Sequence, residues 1–209
     1  MIFLDIETAP LPAEEIEDFA PEFTAPANYK DPEKIAANIA EQKLAWVERG
    51  ALSPLTGRVL AIGLMEAGSD EVTIHHGEDE RALLQALLED AGDFTAGPLV
   101  GWNIRGFDLP FLSRRLWRHG MKPPRWWTAR PGWGKEPLVM DLMEDWKCGD
   151  YKAAHTKLDH AAKFLGLAGK TGAHAKDFGK LYAEDLEAAL AYLRRDVELV
   201  QQIHGRIML

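Results

Sequence analysis

The chain is poor in cysteine, in long apolar runs and in positive charge. Cys148 is the one cysteine in 209 residues, so no internal disulfide can form, and a reducing, cytoplasmic setting is expected. No apolar run approaches the length of a membrane-spanning helix, and no membrane partner is expected. The N-terminus lacks a basic region followed by an apolar core, so a secretory signal is not expected. The formal net charge is −9, which argues against a pure nucleic-acid-binding module held by its overall charge. It leaves room for an acidic site that takes cations, because local patches matter more than the total. Internal repeats and low-complexity linkers are also missing. Hydrophobic residues make up 46% and charged residues 27%, the balance of a chain able to bury a core. One domain is expected over 1–209, with a partly helical insertion at about 10–57.

The first stretch organises the rest. Ile2, Leu4 and Ile6 alternate with Phe3, Asp5 and Glu7, which predicts a strand. Residues two apart on a strand share a face, so Asp5 and Glu7 point the same way. Paired carboxylates on an apolar strand repel one another and resist burial. A hard divalent cation would remove that conflict, and a strand end dipping into solvent would avoid it.

Pro10 and Pro12 stop this strand. Asp31 and Pro32 open a helix over about 32–48, with Ile35, Ile39 and Trp46 near one face and Leu44 and Val47 beside it. It reads as a covering helix, with a lid near the site as the alternative. Strands follow at 59–65 and 71–75, forming a hairpin, and His75 and His76 at its end read as surface residues. A helix over 78–90 buries Leu83, Leu84, Leu87 and Leu88. A short apolar strand over 99–103 leads through a glycine-containing loop into a helix near Asp108, where an N-cap is the plain reading of that aspartate. A fifth strand spans 138–142, and Asp141 either ends it or stands behind the cation ligands. Thr156 to Asp159 reads as a capping box, and a long helix over 184–207 closes the chain.

Between Arg105 and Lys135 the basic residues Arg114, Arg115, Arg118, Lys122, Arg125 and Arg130 interleave with Trp117, Trp126, Trp127 and Trp133. Such a mixture can track phosphates and stack on bases, or it can be a solvated helix face followed by a packed loop. In the last helix Tyr192 and Asp196 lie four residues apart, on one face, with Asp196 among apolar neighbours where it needs a partner.

Asp5-Ile6-Glu7, then Asn103 with Phe107-Asp108, then Tyr192 with Asp196 follow the order of the three exonuclease motifs of the DEDD superfamily. On these residues the chain resembles the DnaQ-like, RNase H-like 3′–5′ exonucleases. Ala191 stands where the histidine subclass carries its histidine, so the tyrosine subclass is the better match. Leu109-Pro110-Phe111-Leu112 after the second motif, and Leu158 to Ala162 with Leu165-Gly166-Leu167, are most similar to stand-alone exonucleases related to the proofreading domain of family B DNA polymerases. The resemblance covers nearly the whole chain outside 10–57.

The resemblance implies an α/β, RNase H-like fold: a five-stranded mixed sheet in the order 3-2-1-4-5, strand 2 antiparallel, helices on both faces. It implies two Mg²⁺ or Mn²⁺ ions held by Asp5, Glu7, Asp108 and Asp196. Tyr192 would orient the attacking water rather than take its proton, since a phenol is a poor base near neutral pH. Thr8, Trp102, Asn103 and Phe107 would contact the terminal nucleotides. The expected reaction releases nucleoside 5′-monophosphates from single-stranded DNA 3′ ends. RNA is the alternative substrate, and a catalytically silent interaction module is the alternative outside the enzymes. Proofreading would need a separate polymerase or repair partner. Oligomeric state and pathway are not legible at this level.

Overall fold

In the computed structural model, residues 1–93, 97–128, 138–150, 152–168 and 178–208 are described. They fall into two compact units, Met1–Glu7 with Val59–Leu209, and Thr8–Arg58. The strands are β1 (Ile2–Pro10), β2 (Gly57–Glu66), β3 (Thr73–His76), β4 (Leu99–Gly101) and β5 (Val139–Asp141). The helices are α1 (Ala13–Ile16), α2 (Pro32–Glu48), α3 (Glu80–Ala91), α4 (Asp108–Arg118), α5 (Leu142–Trp146), α6 (Leu158–Phe164), α7 (Phe178–Glu184) and α8 (Leu186–Ile207).

The sheet order is β3-β2-β1-β4-β5. β4 runs parallel to β1, with Ile2 beside Leu99 and Phe3 beside Val100, and β5 runs parallel to β4. β3 is antiparallel to β2, with Gly63 opposite Ile74. β2 opposes β1: Met1 accepts from the Ala67 N–H at one end, and Leu11 donates to Thr56 at the other. The sheet is therefore mixed, with β2 the reversed strand, and the fold is RNase H-like α/β. No helix among the described residues is long and apolar enough to cross a membrane.

Alternation along β1 divides the larger unit into two layers. Ile2, Leu4 and Ile6 join a cluster with Leu83, Leu84 and Leu87 of α3 and with Leu109, Leu112 and Leu116 of α4. The other face carries Phe3, whose ring meets His204 of α8 at 5.4 Å, edge to face. Leu193, Val197, Val200 and Ile203 of α8 are fully buried, each worth about 1.5–3 kcal/mol of transfer free energy. α5, α6 and α7 pack on α8. Gly63 of β2 makes the close approach of α8 possible. A Cβ there would lie 2.7 Å from Val197 Cγ2 and 3.2 Å from the Leu193 side chain.

In the smaller unit the Asp31 carboxylate caps α2 by accepting from the Glu33 N–H at 3.0 Å. No residue of α2 is buried, and Leu44 is 62% exposed. The residues expected on one face, Ile35, Ile39 and Trp46, are half-buried together with Val47. Trp46 meets Phe23 edge to face at 6.0 Å between centroids, and Gln42 donates to the Thr24 carbonyl at 3.0 Å.

Three further differences have local causes. β4 ends at Gly101 rather than at 103, because Asn103 adopts a left-handed φ of 61° and turns the chain. Thr156 does not cap α6; its N-cap is Lys157, without a side-chain bond, and the Thr156 carbonyl serves Trp102 instead. The short helices α5 and α7 were not anticipated, since five and seven residues are too few for periodicity to register.

Candidate active site

The central group is carboxylic. Asp5 and Glu7 stand on one face of β1, and Asp196 reaches them from α8. Each offers a carboxylate oxygen, and these oxygens lie within 4.8 Å of one another. Asp5 and Glu7 are half-buried and Asp196 is buried. Three negative charges at that range repel strongly in a partly dry site. Hard divalent cations fit this donor set, because they take carboxylate oxygens and cancel the repulsion.

Asp108 is not one of these three, and it is tied to β1 through the backbone. It is the first residue of α4, and Phe107 holds the N-cap position without a side-chain bond, so the capping reading of Asp108 is corrected. Its buried carboxylate accepts from the N–H of Ile6, the residue between Asp5 and Glu7, at 3.3 Å. Burial pushes this carboxyl up to about 7, against the pull of hydrogen bonds from its own N–H and that of Ile6, and the Asp141 charge adds to the rise. In the metal-free protein the group therefore titrates near neutrality.

The loop that delivers Asp108 is held from below. One Asp141 oxygen accepts from the Asn103 N–H at 2.9 Å and from the Met143 N–H at 3.1 Å; the other accepts from the Arg105 N–H at 3.0 Å. Asn103 in turn accepts from the N–H groups of Gly106 and Phe107 at 2.9 Å each. Gly106 is required here, since a Cβ would lie 2.2 Å from Asn103 Oδ1. Asp141 thus fixes the loop rather than merely ending β5.

Tyr192 is half-buried one helical turn before Asp196, and Phe178 of α7 packs against its ring at 6.4 Å. The four residues expected to contact nucleotides have these positions. Thr8 is buried and its hydroxyl donates to the Ala51 carbonyl at 2.7 Å. Trp102 is 9% exposed and its indole N–H donates to the Thr156 carbonyl at 2.9 Å. Asn103 shapes the loop, and Phe107 stacks at a tilt on Phe111, 5.5 Å away.

The basic, tryptophan-rich stretch resolves mostly into structure. Arg115 is buried and binds Glu80 through Nε at 2.8 Å and Nη2 at 2.6 Å. His119 Nε2 lies 2.7 Å from the same carboxylate, and the Val59 N–H donates to it at 2.7 Å. Trp127 is buried, and the Trp126 N–H donates to Gly92. Trp117 remains exposed. Arg130, Trp133 and Lys135 lie outside the described residues, as do residues 169–177. His75 and His76 are tied rather than loose: His75 pairs with Asp90 at 2.7 Å, and His76 Nδ1 lies 2.9 Å from the Tyr182 hydroxyl.

A reversed second strand in the order 3-2-1-4-5, with carboxylates gathered from β1 and α8 and a buried aspartate of α4 bonded to the β1 backbone, defines a DnaQ-like exonuclease domain of the RNase H-like fold. The chain belongs to the family described as predicted 3′–5′ exonucleases related to the exonuclease domain of PolB, whose model matches residues 54–201. That match includes Asp108, Tyr192 and Asp196 and begins after β1. No curated protein matches the chain. Among solved structures the chain is similar to the family B DNA polymerase of the hyperthermophilic archaeon Pyrobaculum calidifontis, at 15% identity and a TM-score of 0.60. The similarity covers 99% of this chain and 24% of the polymerase, and it is a likeness of fold.

Proposed function

We propose that the protein is a metal-dependent 3′–5′ exonuclease of the DEDD tyrosine subclass that removes nucleoside 5′-monophosphates from single-stranded DNA 3′ ends. The observation that carries this reading is the convergence of Asp5, Glu7 and Asp196 oxygens within 4.8 Å. Asp5, Glu7, Asp108 and Asp196 would hold two divalent cations, Mg²⁺ or Mn²⁺. Such ions, when bound, supply Lewis acidity and neutralise charge developing on the phosphoryl oxygens.

The chain's own residues do the rest. Asp108 must be ionised to serve as a ligand, so its raised pKa couples cation binding to proton release. Tyr192 directs its hydroxyl toward the water that attacks phosphorus and holds that water in line. A bond forms from the water oxygen to the terminal phosphorus. The water gives up one proton to solvent, the bond to the 3′ oxygen of the preceding nucleotide breaks, and that oxygen takes one proton from solvent and leaves as a hydroxyl. Asp141 keeps the loop from Asn103 to Asp108 in place during this exchange.

The test is a 5′-labelled single-stranded DNA oligonucleotide with Mg²⁺, Mn²⁺ or chelator, beside the Asp196→Ala variant. A ladder shortening from the 3′ end, dependent on metal and on Asp196, is expected. A ladder only on the matching RNA oligonucleotide would replace DNA by RNA as substrate. Both oligonucleotides intact with metal present would end the enzyme reading in favour of an interaction module.

A further inference from the structure

A series of aromatic rings begins just beyond β4. Trp102 follows β4 directly and precedes Asn103, where the loop that delivers Asp108 begins. Trp102 meets Trp146 of α5 at 6.2 Å between centroids, and Trp146 meets Phe164 of α6 edge-on at 5.4 Å. Exposure rises along the series: Trp102 is buried, Trp146 is half-buried and Phe164 is 79% exposed. A phenylalanine that open at a helix end contributes little to folding, and its ring face is free to stack on a ligand.

The charge around these rings fits the same occupant. From Glu144 to Lys163 four lysines balance four carboxylates, in a chain whose net charge is −9. Lys147 and Lys163 pair with Glu144 and Asp159, whereas Lys152 and Lys157 stand exposed beside exposed His155 and His160. Aromatic faces with interspersed cations are the usual means of holding a single strand without reading its sequence.

We propose that Trp146 and Phe164 form a stacking platform for the bases that precede the 3′-terminal nucleotide, with Lys152 and Lys157 following their phosphates. The proposal rests on the exonuclease reading for the direction of the strand. Trp102 ties the platform to the site, its N–H held by the Thr156 carbonyl just before α6.

The test separates binding from cleavage. Anisotropy of 5′-fluorescein-labelled octathymidylate and dithymidylate is measured in chelator with wild type, Phe164→Ala and Phe164→Trp. Hydrolysis of the p-nitrophenyl ester of thymidine 5′-monophosphate, which has no upstream bases, is followed with Mn²⁺. Phe164→Ala is expected to bind octathymidylate about tenfold more weakly. It should bind dithymidylate and turn over the ester like wild type, and melt at the same temperature. Phe164→Trp should restore octathymidylate binding. Wild-type affinity of Phe164→Ala for octathymidylate, or equal weakening for the dinucleotide, would overturn the platform. Absence of wild-type binding to octathymidylate would also overturn it. If wild type leaves both the ester and octathymidylate uncleaved with Mn²⁺ while Phe164→Ala still loses octathymidylate binding, the exonuclease reading and the strand direction fall, and the stacking surface for single strands stands.

Discussion

The Asp108 carboxylate accepts its hydrogen bond from the N–H of Ile6, 102 residues earlier, so α4 is anchored to β1 between two other acidic side chains. One strand thus presents Asp5 and Glu7 by side chain and grips Asp108 by backbone. Any shift of α4 relative to β1 would therefore move a carboxylate of the site.

A pH dependence follows from that burial. In the metal-free protein the Asp108 carboxyl titrates at about 7, above its value in the unfolded chain. Between roughly 4 and 7 the folded state then binds more protons than the unfolded state, so stability falls as pH rises through this window and levels off above it. Thermal melts in chelator should show that decline, and Asp108→Asn should flatten it. Cation affinity should move the other way, rising up to about pH 7 as the proton leaves. A metal-free melting temperature that climbs steadily from pH 4 to 7, in parallel in both proteins, would contradict the assignment.

The acidic cluster predicts opposing effects on stability and activity. Asp5→Asn or Asp196→Asn removes one of three mutually repelling carboxylates. In chelator each variant should gain about 1 kcal/mol, or roughly 2–4 °C for a chain of this size. With metal and single-stranded DNA the same variants should lose more than about a hundredfold in kcat, beyond what losing a merely orienting neighbour costs. Differential scanning calorimetry and single-turnover cleavage check the two halves separately.

The readable part of this site was the part written in local periodicity. Asp5 and Glu7 share a strand face, and Tyr192 and Asp196 share a helix face, by spacing alone. Asp108 was named as a ligand only through the resemblance, because spacing alone offered a helix cap and its partner, the Ile6 backbone, is distant in sequence. The arginine and tryptophan tract could not be sorted by spacing, since a stacking tryptophan and a core tryptophan have the same composition. Only the fold shows Arg115 buried against Glu80, Trp127 inside, and the exposed ring at Phe164. The helix α2 was legible as a helix from Asp31 and Pro32, and its amphipathic pattern matches the half-buried side at Ile35, Ile39 and Trp46.

The Glu80 network should dominate acid sensitivity in the larger unit. Burial alone would raise the Glu80 carboxyl. Hydrogen bonds from Arg115, His119 and the Val59 N–H, with the Arg115 charge, together outweigh burial and hold it below the usual range. A depressed carboxylate contributes stability above its unfolded value near 4.5 and loses it as pH falls through the lower folded value. Glu80→Gln keeps the shape but leaves Arg115 buried without a charge partner at this position. A loss of about 3–5 kcal/mol is expected, measured by urea denaturation at pH 7, with the acid-induced loss of stability below pH 4.5 reduced.

Gly63 tests how α8 is seated, and with it the position of Asp196. A methyl group at residue 63 would lie 2.7 Å from Val197 Cγ2, one residue from Asp196. Overpacking of this kind costs about 1–3 kcal/mol and is relieved either by moving the helix or by removing the opposing methyl groups. Gly63→Ala should therefore lower both stability and kcat. Val197→Ala alone should cost stability through a cavity. The double variant should be more stable than the sum of the two losses predicts, because one methyl group fills space the other vacates. Recovery of kcat in the double variant would show that the loss in Gly63→Ala came from displacing α8. Stability recovered without kcat would mean that α8 returned while Asp196 did not, and strict additivity would mean that the two side chains do not meet.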